Sequence, residues 1–190
     1  TTVNLPATQP LVIMGYNTPS LASIKKPWQA YALFFTAALL ADGDSSRLVK
    51  SLTRDQQITV DVSANYNLLN RFDGLFTISA IPAKGQSVKD VIQAIQAQIK
   101  KLQTEQIGQT ELARIKTLIT ADQIYRQDSL YGQAMLLATL IANDLPIDLY
   151  DQLDEKIEAV TAEQIQQVAQ KFLTSQRLTI AELIPQSIES

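Results

Sequence analysis

Trp28 to Leu40 reads Trp-Gln-Ala-Tyr-Ala-Leu-Phe-Phe-Thr-Ala-Ala-Leu-Leu, a helical segment without a single charge. A helix that is apolar almost all round leaves no face for water and has to be enclosed. The uncharged stretch around it, residues 27 to 41, falls short of the roughly 18 to 20 residues needed to cross a bilayer, as does residues 129 to 143. Both segments are therefore expected to be buried helices, and other parts of the chain must cover them. The 190 residues suffice, because a chain of this size buries roughly 70% of its extended surface. Pro27 suits a first helical turn, and Asp42-Gly43 is a stop.

The covering layer reads as a sheet. Leu11-Val12-Ile13-Met14-Gly15-Tyr16 is short, apolar and partly β-branched, which predicts a central strand ending at Asn17-Thr18-Pro19-Ser20. Ile58, Val60, Val62 and Ala64 alternate with Thr59, Asp61, Ser63 and Asn65, and period two predicts a half-buried strand. Leu75 to Ile81, entered through Asp73-Gly74 and closed by Pro82, predicts its antiparallel partner. Leu178, Ile180 and Leu183 predict a strand returning to the sheet before Pro185.

Helical spacing fills the remainder. Val88, Val91, Ile92, Ile95, Ile99 and Leu102 form one stripe behind Ser87-x-x-Asp90, a capping box with a shorter acid. Gly108 breaks that helix, and Leu112, Ile115, Leu118, Ile119 and Ile124 make the stripe of the next. A further helix is predicted from Asp148 to Ile157, and Thr161-x-x-Gln164 caps another carrying Ile165, Val168, Ala169 and Phe172. The order predicts an α+β domain, with an antiparallel or mixed sheet packed against a layer of helices. Residues 1–10, with two prolines, read as a lead-in or linker, 11–185 as a single domain and 186–190 as a tail.

Absences bound the chemistry. With no His and no Cys, the chain has neither imidazole nor thiolate to serve as base, nucleophile or metal ligand. A net charge of −3 without a Lys/Arg block argues against nucleic acid, since phosphate neutralisation needs clustered cations. Asp42, Asp44, Asp55, Asp61 and Asp73 lack a calcium-loop spacing and suit turns and caps. Lys84-Gly85 with Ser87 lacks the phosphate-loop pattern. Ser45, Ser46 and Ser129 have no histidine to activate them. Glu111, Arg114 and Lys116 read as a solvated helix face, and Arg126, Asp128 and Tyr131 as a helix junction with an ion pair or cap. From the residues alone the chain is a globular α+β domain with no visible chemistry.

Several segments, in order, carry a resemblance. They are Gly-Tyr-Asn-Thr-Pro-Ser at 15–20, Leu-Leu-Ala-Asp-Gly-Asp-Ser-Ser-Arg-Leu at 39–48, Asp73-Gly74-Leu75-Phe76 with Pro82, and Glu111-Leu112-x-Arg114-x-Lys116. Arg126-Gln127-Asp128-Ser129 and Ala159-Val160-Thr161-x-x-x-Ile165-x-x-Val168-Ala169-x-Lys171-Phe172-Leu173 complete them. Nearly the whole chain resembles the non-catalytic half of pitrilysin-type zinc metallopeptidases, the inverzincins that include the mitochondrial processing peptidases. The resemblance implies the processing-peptidase-like metallohydrolase fold, in which two such halves enclose a chamber where unfolded peptides are cut. It also implies that zinc sits in the partner half, on a helix bearing His-x-x-Glu-His. Matching that helix to this chain places Phe34-Phe35-Thr36-Ala37-Ala38 where the motif would lie, so no cofactor is expected in this chain.

In active members the non-catalytic half supplies an Arg and a Tyr that hold the substrate backbone. At the corresponding positions stand Thr53 and Val60, with Arg54 a remnant reachable by a one-residue slip. The resemblance therefore implies a non-catalytic domain that forms one wall of a peptide-binding chamber and pairs with a zinc-bearing domain or subunit, the parent being a zinc metalloendopeptidase. The alternatives are a structural or assembly subunit of the same fold and an interaction module unrelated to proteolysis. No membrane span is expected; the compartment is not readable from the residues, and family habit suggests a periplasm.

Overall fold

The computed structural model describes residues 1–186, with side chains for all of these except 123–127. Strands β1 (Thr2–Pro6), β2 (Leu11–Thr18), β3 (Thr59–Tyr66), β4 (Gly74–Pro82) and β5 (Leu178–Gln186) form one sheet in the order β1-β5-β2-β4-β3. β1 runs parallel to β5 and the other three pairings are antiparallel, which is the mixed sheet expected. Helices α1 (Trp28–Ala41), α2 (Val88–Thr104), α3 (Gln109–Gln127), α4 (Leu130–Ala142), α5 (Leu149–Glu158) and α6 (Ala162–Phe172) supply the second layer.

Register brings the apolar positions of neighbouring strands together. Val12, Met14 and Tyr16 stand opposite Ala80, Ile78 and Phe76, and Val62, Ala64 and Tyr66 continue the same rows on β3. These rows are buried or nearly so, whereas Ile13 and Leu75 on the other side of the pleat are exposed. Helices therefore cover one face. α1 lies at the centre, in contact with β3, α5 and α6. Of its residues, Gln29 to Leu33 and Phe35 to Leu40 are buried, and the Thr36 hydroxyl is satisfied by the Ala32 carbonyl at 2.7 Å. Gly43 at φ +76° follows its end, a conformation open to glycine without a Cβ clash.

The predicted caps are present. The Ser87 side chain accepts from the Asp90 N–H at 3.0 Å, and Thr161 and Gln164 exchange both bonds of a capping box at 3.1 and 3.2 Å. Thr161→Ala should thus lower stability by about 1 kcal/mol in a chemical melt, while Thr161→Ser should be nearly neutral. α2 and α6 are tied by Gln103, whose amide donates to the carbonyls of Ala169 and Leu173 at 3.3 and 2.8 Å and whose own carbonyl takes Gln170 at 2.6 Å.

Three expectations need correction. Residues 2–6, read as part of a lead-in, are an edge strand whose partner β5 lies some 180 residues away in sequence. No local pattern announces such a pairing, and a proline at the strand's end is harmless on an edge. The alternation at 58–65 is broken by an irregularity between Thr59 and Asp61, so Thr59 is buried and Val60 exposed. After Asp44 the chain winds through a short, wide π-helix over Val49–Asp55, with Gln56 N–H reaching back five residues to Ser51. Finally, α4 is not enclosed: among the described residues Leu140 is its one buried residue, because the helix packs chiefly against α3 and α5 and leaves much of its surface exposed. The side chains of Ile124 and Arg126, and the tail beyond 186, lie outside what the structure describes. Among the described residues, no helix is long and apolar enough to cross a membrane.

Candidate functional site

One narrow side of α1 borders a groove at the margin of the core. Phe34, Ala37 and Ala38, at spacings of three and four, share that side and line the groove, about 790 Å³ in volume. The free edge of β3 (Ser63 to Tyr66) forms one wall, and Leu136 of α4 and Tyr150 of α5 stand on the other. The three α1 positions are those where the resemblance places His, Glu and His. Phe34, Ala37 and Ala38 offer no lone pair to a cation.

The carboxylates of Asp42, Asp122 and Asp154 also border the groove, yet no three His, Cys, Asp or Glu side chains among the described residues are grouped to hold an ion. These residues do not fit zinc, which takes tetrahedral N or S donors with carboxylate support. Tyr66 is fixed in the groove wall by donating to the Pro19 carbonyl at 2.7 Å. Burial, with Asp73 adding to it, pushes its phenol above the ordinary range, so it stays a neutral hydrogen-bond donor.

Thr53, Arg54 and Val60 come together at the corner where the π-helix over Val49–Asp55 feeds β3. The local backbone is irregular throughout: Gln57 adopts φ +53°, a left-handed conformation rare for a side chain of this size, and the strand irregularity follows it. Its effect is to aim Val60 outward, 58% exposed. Thr53 is held by the Thr59 hydroxyl at 2.9 Å, and Arg54 is engaged by Asp44 at 2.5 Å on the exposed surface. Behind them Ser51 accepts from the amides of Gln56 and the buried Gln98, both at 2.9 Å. Sequence reading located this corner but not its strain, since neither the left-handed Gln57 nor the strand irregularity has a residue signature.

The other candidates are occupied structurally. Glu111 is not on a solvated face: Arg47 grips it through two bonds of 2.9 and 2.7 Å, tying α3 to the segment after α1. Arg114 donates to the Ser45 carbonyl and Lys116 to the Glu158 carbonyl. Ser129 caps α4 by accepting from Gly132 N–H at 3.3 Å, Ser87 caps α2, and Ser46 is fully buried. Gly85 at φ +84° marks Lys84-Gly85 as a turn. Asp128 and Tyr131 are exposed, and Arg126 lies outside the described side chains.

The Arg47 bonds hold the Glu111 carboxyl below the usual glutamate value, against an opposing push from burial. A group with a depressed folded pKa stabilises the fold above its unfolded value and loses that contribution as pH falls through the folded one. The stability gap between the natural chain and Glu111→Gln should therefore be constant at neutral pH. It should close as a urea series is taken below about pH 4.5, the ordinary value for a glutamate. A gap independent of pH would remove the charge from the account.

Residues 1–119 match the family model described as the peptidase M16 inactive domain. The chain is 30% identical over 149 residues to the chloroplastic stromal processing peptidase of Arabidopsis thaliana, covering 76% of this chain and 12% of that protein. A solved protease from Helicobacter pylori superposes with a TM-score of 0.89 at 22% identity, over 97% of this chain and 44% of that one. The inactive peptidase domain of a protein described as a zinc protease, from Bordetella parapertussis, gives 0.84 at 19% identity, over 99% of this chain and 97% of that one. This chain thus spans less than half of the curated relative and of the Helicobacter protease. The helix without ligands, the sheet order and the matched length agree on one assignment: the chain belongs to the peptidase M16 inactive domain family.

Proposed function

We propose that this domain pairs with a zinc-bearing half, on the same polypeptide or a separate subunit, and forms one wall of a chamber that holds unfolded peptide for cleavage. The parent assembly is then a zinc metalloendopeptidase, with the metal wholly in the partner half. The observation that carries this reading is the groove side of α1, where Phe34, Ala37 and Ala38 offer nothing to a cation although helix and groove are intact. A fold that keeps this groove and lacks the ligands can hold and position a peptide, while the polarised water and its base come from elsewhere. In the same reading Thr53 and Val60 occupy the clamp positions and Arg54 is the remnant cation, paired with Asp44.

The test is zinc content by atomic absorption and cleavage of quenched fluorescent peptides. It is run on the purified domain and on the domain combined with the zinc-bearing half of its own assembly. The domain alone should carry no stoichiometric zinc and cut nothing; the combination should cut. Zinc at one per chain on the isolated domain, with turnover, would overturn the proposal. A stable pair that never cuts any peptide would favour the assembly-subunit alternative.

A further inference from the structure

α4 is the anomaly of the fold. Its thirteen residues carry no charge, yet Leu130, Tyr131, Met135 and Ile141 are 84, 76, 48 and 61% exposed. With the exposed Ala134, Ala138 and Ala142 they form a stripe at spacings of three and four along three turns of the helix. An apolar stripe of that length on a surface marks an interaction site. Alanines set between larger side chains let a second helix approach at close range.

Charge selects the occupant. Residues 121–160 hold six Asp and two Glu against Arg126 and Lys156, a net −6, so the rest of the chain sums to +3 within the total of −3. Near the stripe in sequence, Asp128 precedes α4 and Asp144 and Asp148 follow it, while the neighbouring α5 exposes Asp151 and Glu155 together with Lys156. Asp144 is paired with Arg71, while the region as a whole stays strongly acidic. A second copy of the chain docking stripe to stripe would bring two such regions together, and an anionic lipid surface would meet the same repulsion. The complement is a protein helix with an apolar face flanked by Lys or Arg.

We infer that the exposed face of α4 is a docking surface for a basic amphipathic helix of a protein partner. This goes beyond the pairing proposed above and needs neither zinc nor the clamp.

Two synthetic helical peptides of equal length and identical leucine face, one with lysine and one with glutamate on the polar face, are titrated against the full chain by fluorescence anisotropy. The lysine peptide should bind saturably, at least tenfold more tightly than the glutamate peptide, and weaken as salt shortens the screening length from about 10 Å at 0.1 M to about 3 Å at 1 M. Ala138→Arg, in an exposed position that should not disturb folding as judged by circular dichroism, should lower affinity at least tenfold, as should Ile141→Lys, which like Ala138 lies outside the groove lining. The distant Lys89→Glu should not. Equal binding of the two peptides, no binding of either, or indifference to Ala138→Arg overturns the proposal. So does sedimentation showing that the chain dimerises through α4.

Discussion

Phe35→Ala should remove about 3–5 kcal/mol from the stability of the domain, because a large buried ring is deleted where its surroundings cannot close in. Phe35 is fully buried on a helix held by contacts with β3 of the sheet and with α5 and α6. The cost therefore contains both the lost transfer energy of the ring and the void it leaves. Against a total stability on the order of 5–15 kcal/mol, that is a large share. In urea, with a slope of about 2 kcal/mol per molar, the midpoint should fall by about 2 M while the slope stays unchanged. Phe34→Ala, one residue away but facing the groove and only half-buried, should shift it far less. A midpoint loss for Phe35→Ala no greater than that for Phe34→Ala would show that α1 is not the close-packed centre of the molecule.

The same contrast explains what the residues did and did not disclose. α1 could be read because its composition demanded enclosure, and α2 and α6 because stripe and cap are both local properties of a helix. The β3–β4 hairpin is local too, its strands joined by the short connection 67–73. β1 could not be read, since its partner β5 closes the chain end to end. α4 is the instructive failure: it looks as apolar as α1, and composition reports what a helix prefers to touch, whereas only the arrangement of neighbours decides whether that preference is met within this chain. At the corner after α1 the period-two pattern failed for a different reason. One extra residue near Val60 reverses which side chains face inward, and nothing in Thr59-Val60-Asp61 requires it. The groove was legible only as a position on a helix: residues 34, 37 and 38 had to share a side by helical geometry, but the walls opposite them come from α4 and α5.

On the proposed reading of Thr53 and Val60 as clamp positions, placing Arg and Tyr there should produce the largest functional change. In the assembly with a zinc-bearing half, Thr53→Arg combined with Val60→Tyr is expected to raise kcat/KM for an unstructured peptide by about 10- to 100-fold. That range corresponds to one or two charge-assisted or well-aimed hydrogen bonds to the substrate backbone, at about 1.4 kcal/mol per factor of ten. The structure makes the substitutions feasible. Val60 already projects into solvent from the strand irregularity, so a phenol there needs no cavity. Thr53 gives up its bond to the Thr59 hydroxyl, a loss of about 1 kcal/mol in stability, while the long arginine stem carries its guanidinium outward. On the proposed reading Arg54 is the remnant cation, and its exposed pair with Asp44 is worth little by itself; Asp44→Ala alone should therefore give at most a small gain. The control that separates donor from bulk is Thr53→Arg with Val60→Phe, which keeps the ring and deletes the hydroxyl. If the phenylalanine version equals the tyrosine version, a hydrogen bond from the phenol is not what assists the reaction. If neither double variant changes turnover in an assembly that does cut peptides, these two positions do not touch the substrate at all.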